Sequence, residues 1–230
     1  MNTLTVIVPF FNEESTLAES LDRLIKSKIA TEILLFDDCS NDKSLEIAQT
    51  YENNFTNIKV YKAKTQSGKG AAIKSLQYKI NTTHVAIHDA DLEYNPFDLL
   101  KMFEVAKNYP DSLVLGSRFI GGEIRENRYR STYIANNLLS FIFSLINQKK
   151  VTDIASCYKL FSSGFFKNLN LNENGFSIEV EILSKFLKTK KNIYEVPISY
   201  FGRTFDEGKK IKFKDSFKFI ISMIRYRFFN

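Results

Sequence analysis

The chain reads as an α/β protein built on a mostly parallel sheet with helices on its faces. Short β-rich runs, TVIVPF, EILLFDD, NIKVYKA, THVAIHDA and SLVLGSRF, succeed one another through the first half. Segments with helical spacing of apolar residues separate them, and strand–helix–strand alternation makes βαβ units. Polar clusters, NEE (12–14), DDCSND (37–42) and DADLE (89–93), stand directly after apolar runs. Open parallel sheets bind ligands beyond the carboxyl ends of their strands, so these clusters are expected to meet at one edge.

Taken in order, TVIVPF is the first strand. No basic leader precedes it, and Pro9 and Asn12 break its apolar run, unlike a signal peptide. Leu17, Leu21, Leu24 and Ile25 then share one helical face before EILLFDD. After NIKVYKA, the loop SGKGAA (67–72) leads into a helix carrying Ala72, Ile73, Leu76 and Ile80. THVAIHDA follows, and Asp89, Asp91 and Glu93 alternate beyond it, on one side of an extended chain. Pro96 suits the first turn of a helix with Leu99, Leu100, Phe103 and Ala106. Past SLVLGSRF the pattern changes: an uncharged stretch at 131–148, CYKLF, a helix near FSIEVEILSKFL, a strand at IYEVPISYF and a basic, aromatic C-terminus. No repeat or Pro/Gly-rich linker divides the chain, so one domain over 1–230 is expected.

A chain of 230 residues with 44% apolar and 25% charged residues can bury a sizeable core. Its net charge of +6 favours anionic partners, although no nucleic-acid-binding motif is present. The two cysteines, Cys39 and Cys157, lack metal-ligand spacing and suit a reducing cytoplasm. No run of 18 apolar residues exists, so no membrane-spanning helix is expected.

Asp89 and Asp91 offer hard oxygens of the kind Mg²⁺ or Mn²⁺ shares with a diphosphate; a solvated acidic turn is the plainer alternative. Asp37 and Asp38 end another strand, where a carboxylate binds ribose or base or caps a helix. Lys69 lies between two glycines at a helix start, a place for an anion, without the spacing of a Walker loop. Arg118, Arg125, Arg128 and Arg130 suggest a second anion. His84 and His88 read as structural, with His88 turned away from Asp89 by alternation.

VIVPFFNEE, FDDCSND, GKGAA, DADLEYNP, GSRF, TDIASCYKLF, GFSIEVEIL and VPISYFGRTFDEGKKI occur in one order. Together they resemble the inverting family-2 glycosyltransferases of GT-A fold, and within them the polyprenyl-phosphate sugar synthases of the dolichyl-phosphate mannose synthase type. The resemblance covers Val6 to about Lys212. It implies a nucleotide-sugar-binding half (1–120), an acceptor-binding half (121–213) and a basic amphipathic C-terminal helix (214–230). Pro9, Phe11 and Glu13 match the segment near the nucleotide base, with Phe11 replacing the usual tyrosine. Asp38 matches the second acid of the DDxS motif, and Cys39 stands where the family usually has glycine. Asp89, Ala90 and Asp91 match the donor and metal segment, and Glu93, expected with Asp89 and Asp91 as a metal ligand, stands where some relatives have glutamine, which can also supply a metal oxygen. Lys69 and Lys209 would hold the donor diphosphate. Arg118, Arg203 and one of Arg128 and Arg130 match cations around the phosphates.

The activity so implied moves a hexose from a nucleotide diphosphate sugar, of GDP-mannose or UDP-glucose type, to a polyprenyl or dolichyl phosphate, with Mg²⁺ or Mn²⁺. Such an acceptor is already an anion and needs no strong base. A saccharide hydroxyl would need one, and Asp153 is the residue placed to serve. A lipid acceptor requires a bilayer. Leu138, Phe141, Ile142 and Leu145 in 131–148 share a helical face, interrupted elsewhere by Asn136, Asn137, Ser140 and Ser144. In the C-terminal segment Lys214, Lys218, Arg225 and Arg227 mix with Phe217, Phe219, Ile221 and Phe228. Both suit an interfacial helix, or packing on the sheet or a homodimer partner. The expectation is a cytoplasmic protein, peripheral at the inner face of the membrane, alone or with a separate membrane subunit.

Overall fold

The computed structural model describes residues 1–121, 123–126, 129–204 and 213–229, without side chains at 213–216. The first half alternates as the sequence predicts: β1 (Leu4–Phe10), α1 (Leu17–Ser27), β2 (Glu32–Asp37), α2 (Ser44–Asn54), β3 (Ile58–Lys62), α3 (Lys69–Ser75), β4 (His84–Ile87), α4 (Asp98–Asn108) and β5 (Leu113–Ser117). The second half adds β6 (Arg125–Glu126), α5 (Arg130–Asn147), β7 (Lys159–Ser162), α6 (Ser163–Asn168), α7 (Ile178–Lys188), β8 (Ile193–Pro197), β9 (Tyr200–Phe201) and α8 (Phe213–Phe228).

The main sheet runs β3-β2-β1-β4-β7-β5-β8, and strands from both halves share it. All neighbours are parallel except β7, which is antiparallel to β4 and β5. The central strands β1 and β4 are buried along their whole length, which is why they read as unbroken apolar runs. Alternate residues feed the two faces: Ile7, Val85 and Ile87 on one, packed with Ile73, Phe143, Ile182 and Met223. Val6, Val8 and Ala86 pack on the other with Leu21, Leu99 and Tyr158.

Four local features depart from the expected pattern. α3 ends at Ser75, so Leu76 and Ile80 lie beyond the helix expected to carry them. β4 stops at Ile87, and Asp89–Glu93 is a turn with Leu92 at φ 61°, so the three acids do not alternate along an extended strand. Pro96 lies in the turn before α4, whose first residue is Asp98. IYEVPISYF breaks in two: Asp98 Oδ2 accepts from Ser199 N at 2.8 Å, and the chain leaves the main sheet to pair β9 with β6. α2 left little trace in the sequence because Ala48 is its one fully buried apolar side chain.

Candidate active site

The polar ends of β1, β2 and β4 meet as expected. One cavity of about 360 Å³ is lined by Pro9, Phe11, Glu13, Asp38, Lys69, Asp89, Ala90, Asp91, Glu93, Arg118 and Arg203. Hydrogen bonds sew the strand ends together. Glu13 N donates to Ser44 Oγ (2.8 Å), Asn41 N to Asn12 Oδ1 (2.8 Å), and Ser67 N and Gly68 N to the two oxygens of Asp38 (2.8 Å each). Asp38 is therefore a clamp on the 67–70 loop as well as a cavity wall. Cys39 has φ 70°, the left-handed conformation for which glycine is the natural residue.

The glycines of that loop are forced by close contact. At Gly68, with φ 95°, a Cβ would lie 2.6 Å from Asn174 O; at Gly70 it would lie 2.4 Å from Glu173 O. The loop thus presses on residues 173–174 and carries Lys69 into the cavity. Lys69 Nζ lies 2.7 Å from Asp89 Oδ1 and 2.8 Å from Glu179 Oε1. Burial opposes its charge, but the two carboxylates outweigh it and hold Lys69 well above the ordinary lysine value.

Arg203 is the second internal cation. Its Nη2 donates to Asp91 Oδ2 at 3.0 Å and its Nη1 to Glu13 Oε2 at 3.1 Å. The acids respond in opposite ways. Burial works against ionised Asp89, yet Lys69 brings it below the ordinary carboxylate value. Asp91 is pushed up to about 8 by burial and then by the carboxylates of Glu93 and Asp89, with Arg203 offsetting only part. The wall around Asp91 thus carries more negative charge than its own cations neutralise. Hard oxygens with surplus charge fit a divalent cation. Among the described residues no three acid, His or Cys side chains form a metal cage by themselves. Asp89 and Asp91 would hold such an ion together with ligand oxygens and water. Glu93 has both oxygens engaged, accepting from Tyr200 Oη at 2.8 Å and Arg203 N at 2.9 Å, and so pins the 200–203 segment to the acidic turn.

Arg118 enters from the end of β5. Asp153 grips it with both oxygens, from Nε at 2.7 Å and Nη2 at 2.8 Å, and also accepts from its backbone N at 3.0 Å. Asp153 is fully buried behind the guanidinium, which lies 4.8 Å from the Tyr200 ring centre. Burial again opposes the charge, and Asp153 overcomes it to raise Arg118 well above its ordinary value. Arg130 is exposed at the head of α5, and Arg125 stacks between Phe119 and Tyr133 at 4.6 and 4.2 Å. Arg128 and Lys209 lie outside the described residues.

The model of the glycosyl transferase family 2 matches residues 5–169. The chain belongs to that family. Among curated family relatives, the dolichol-phosphate mannosyltransferase of Pyrococcus furiosus is 27% identical over 96% of this chain and 63% of its own length. The undecaprenyl-phosphate mannosyltransferase of Micrococcus luteus is 26% identical over 91% of this chain and 87% of its own. The chain thus spans under two thirds of the first of these relatives. Among solved structures, glucosyl-3-phosphoglycerate synthase from Mycobacterium tuberculosis, in complex with Mn²⁺, UDP and phosphoglyceric acid, superposes with a TM-score of 0.76. It covers 100% of this chain and 80% of its own, at 16% identity, which speaks for the GT-A fold.

Several residues of this family-2 site escaped the sequence reading. Glu179 was visible only as an acid inside the apolar run FSIEVEIL, and its contact with Lys69 needed the fold. Tyr94, Tyr200, Thr132, Asn136, Phe176 and Phe219 also line the cavity. Tyr94, Phe176 and Tyr200 stand inside motifs quoted above that gave them no role, and nothing in the local sequence distinguishes Thr132, Asn136 and Phe219 from core or surface residues. His88 is structural: Ser20 Oγ lies 3.1 Å from Nε2 and Tyr158 Oη 2.9 Å from Nδ1, and burial pushes it down to about 4.

Proposed function

We propose that this site transfers a hexosyl group from a nucleotide diphosphate sugar to a polyprenyl or dolichyl phosphate, with inversion at the anomeric carbon. The supporting observation is the charge arrangement of one cavity: Asp89 and Asp91 beside Lys69 and Arg203, with Arg118 in the same lining anchored by a carboxylate that accepts from it with both oxygens. Curated relatives named for mannosyl and glucosyl transfer to dolichyl or undecaprenyl phosphate support the same acceptor class.

In this reading Phe11 and Asp38 border the nucleoside and Lys69 meets the diphosphate. Arg118, with Arg203, positions the lipid phosphate, whose second pKa near 6 leaves it anionic at neutral pH. A phosphate oxygen attacks the anomeric carbon as the bond to the nucleotide diphosphate oxygen breaks from the opposite face. No proton is removed from the nucleophile, so a general base is not required. The Asp153–Arg118 pairing favours this over a saccharide acceptor, which would draw on Asp153 as base. Mg²⁺ or Mn²⁺ at Asp89 and Asp91 would neutralise charge on the leaving diphosphate.

The acceptor would come from a bilayer. α5 and α8 pack side by side and bury Leu139, Phe143, Phe219 and Met223 inward. Ile134, Leu138, Phe141, Leu145, Phe217, Ile221 and Phe228 face outward, each more than half exposed. Exposed Arg130, Lys149, Lys150, Lys218 and Arg225 flank them, the composition of a helix pair lying in an anionic interface. Among the described residues no helix is long and apolar enough to cross a membrane. A screen of nucleotide sugars by thermal shift with Mn²⁺ tests the donor reading, since a ligand of the folded state raises its melting point. One donor should raise it in wild-type protein and not in Asp91→Ala; no rise with any common donor contradicts the reading.

A further inference from the structure

Behind the donor wall lies a buried cation that the chemistry above does not use. Lys159 on β7 is fully buried. Its ammonium donates to Ile154 O at 3.3 Å, to Ser156 O, and to Glu179 Oε2 at 2.7 Å. A lysine has three N–H donors, so all of them are committed. Glu179, on α7 and also buried, reaches Lys69 Nζ at 2.8 Å with its other oxygen, and Lys69 stands 2.7 Å from Asp89. Four charges therefore alternate from the sheet to the cavity: Lys159, Glu179, Lys69, Asp89.

Core stability does not explain this row. Removing an ammonium and a carboxylate from water is costly, and a well-packed apolar pair is commonly as stable or more so. The row instead fixes position. Lys69 has a long flexible stem, yet two carboxylates hold its ammonium and two tightly packed glycines hold its backbone. Glu179 alone would set a buried negative charge against the cation that has to meet a diphosphate. Lys159 offsets that charge from behind.

We propose that Lys159 and Glu179 are positioning residues for the donor diphosphate: Glu179 holds the Lys69 ammonium at the Asp89 wall, and Lys159 balances Glu179 so that Lys69 keeps its pull on the phosphates. This role rests on the donor reading of the cavity. It is tested by calorimetric titration of UDP and of GDP, with Mn²⁺, into wild type, Lys69→Met, the double variant Lys159→Met/Glu179→Gln, and the triple variant. Lys159→Met alone would leave a carboxylate buried against fewer partners and endanger folding; the double variant removes one charge of each sign and keeps the side-chain volumes. The double variant is expected to fold, with a melting temperature lowered by the Ile154 and Ser156 carbonyls that lose their donor, and to bind the nucleotide about tenfold more weakly, an effect of coupled neighbours acting as a unit. Added to Lys69→Met, the same pair of changes should cost nothing further. In turnover, KM for the sugar nucleotide should rise while KM for the lipid phosphate stays within about twofold. Wild-type affinity in the double variant overturns the role, as does an equal loss with and without Lys69. A wild-type protein that binds neither nucleotide removes the donor reading, and this role with it.

Discussion

At Asp91 function and stability pull in opposite directions. Its folded-state pKa of about 8 lies above the ordinary carboxylate value, so its ionised form is disfavoured in the fold. That cost is absent below about pH 4, grows as pH rises, and levels off above about 8. Asp91→Asn should therefore raise the melting temperature of chelator-treated protein at pH 8 and leave it nearly unchanged at pH 4, while reducing transfer by more than about a hundredfold. A melting temperature lower than wild type at pH 8 would contradict the charge surplus. Cys39 makes a smaller statement. A non-glycine residue at φ 70° carries strain of ~1–2 kcal/mol, partly offset in the glycine variant by chain entropy, so Cys39→Gly should gain up to about 1 kcal/mol in urea unfolding. Arg118 and Asp153 form a unit through three hydrogen bonds. Arg118→Gln and Asp153→Asn should each lower lipid-phosphate transfer, and the double variant should fall well short of the product of the two losses.

Elements place these residues, and their legibility varied with what defines them. β1, β2 and β4 were readable because burial on both faces leaves an apolar run whose end marks the sheet edge. The acids after β4 were readable as a group, but not their geometry, because a turn with Leu92 at φ 61° has no sequence signature. The break at Ser199 depends on Asp98, about a hundred positions away, and the Lys159–Glu179 pair joins a strand to a helix. No local pattern reports such contacts. The helix pair α5–α8 was half legible: its composition suggested an interface, and the fold separated inward Phe219 from outward Phe217 and Ile221. Phe141→Ser/Ile221→Ser should cut co-sedimentation with anionic vesicles on the order of tenfold, since interfacial binding scales with apolar area, and leave UDP or GDP affinity unchanged. Equal vesicle binding by variant and wild type would remove this face from the membrane reading.

For the whole molecule, both halves of the chain close around one cavity. The ends of β1, β2 and β4 bring the acids, β5 brings Arg118, and the 200–203 segment returns Arg203 to the acidic turn. Arg203 links Glu13 to Asp91 across 190 and 112 positions of sequence, so the second half of the chain supplies a cation to the acids of the first. The direct measurement of what this arrangement does is transfer of labelled sugar from GDP-mannose and UDP-glucose, with Mn²⁺, in vesicles containing either a polyprenyl phosphate or the matching polyprenol. A lipid-soluble glycosyl phosphate should form with the phosphate, not with the alcohol, and disappear in Asp91→Ala. Transfer to the alcohol or to an added saccharide, with none to the phosphate, would contradict it.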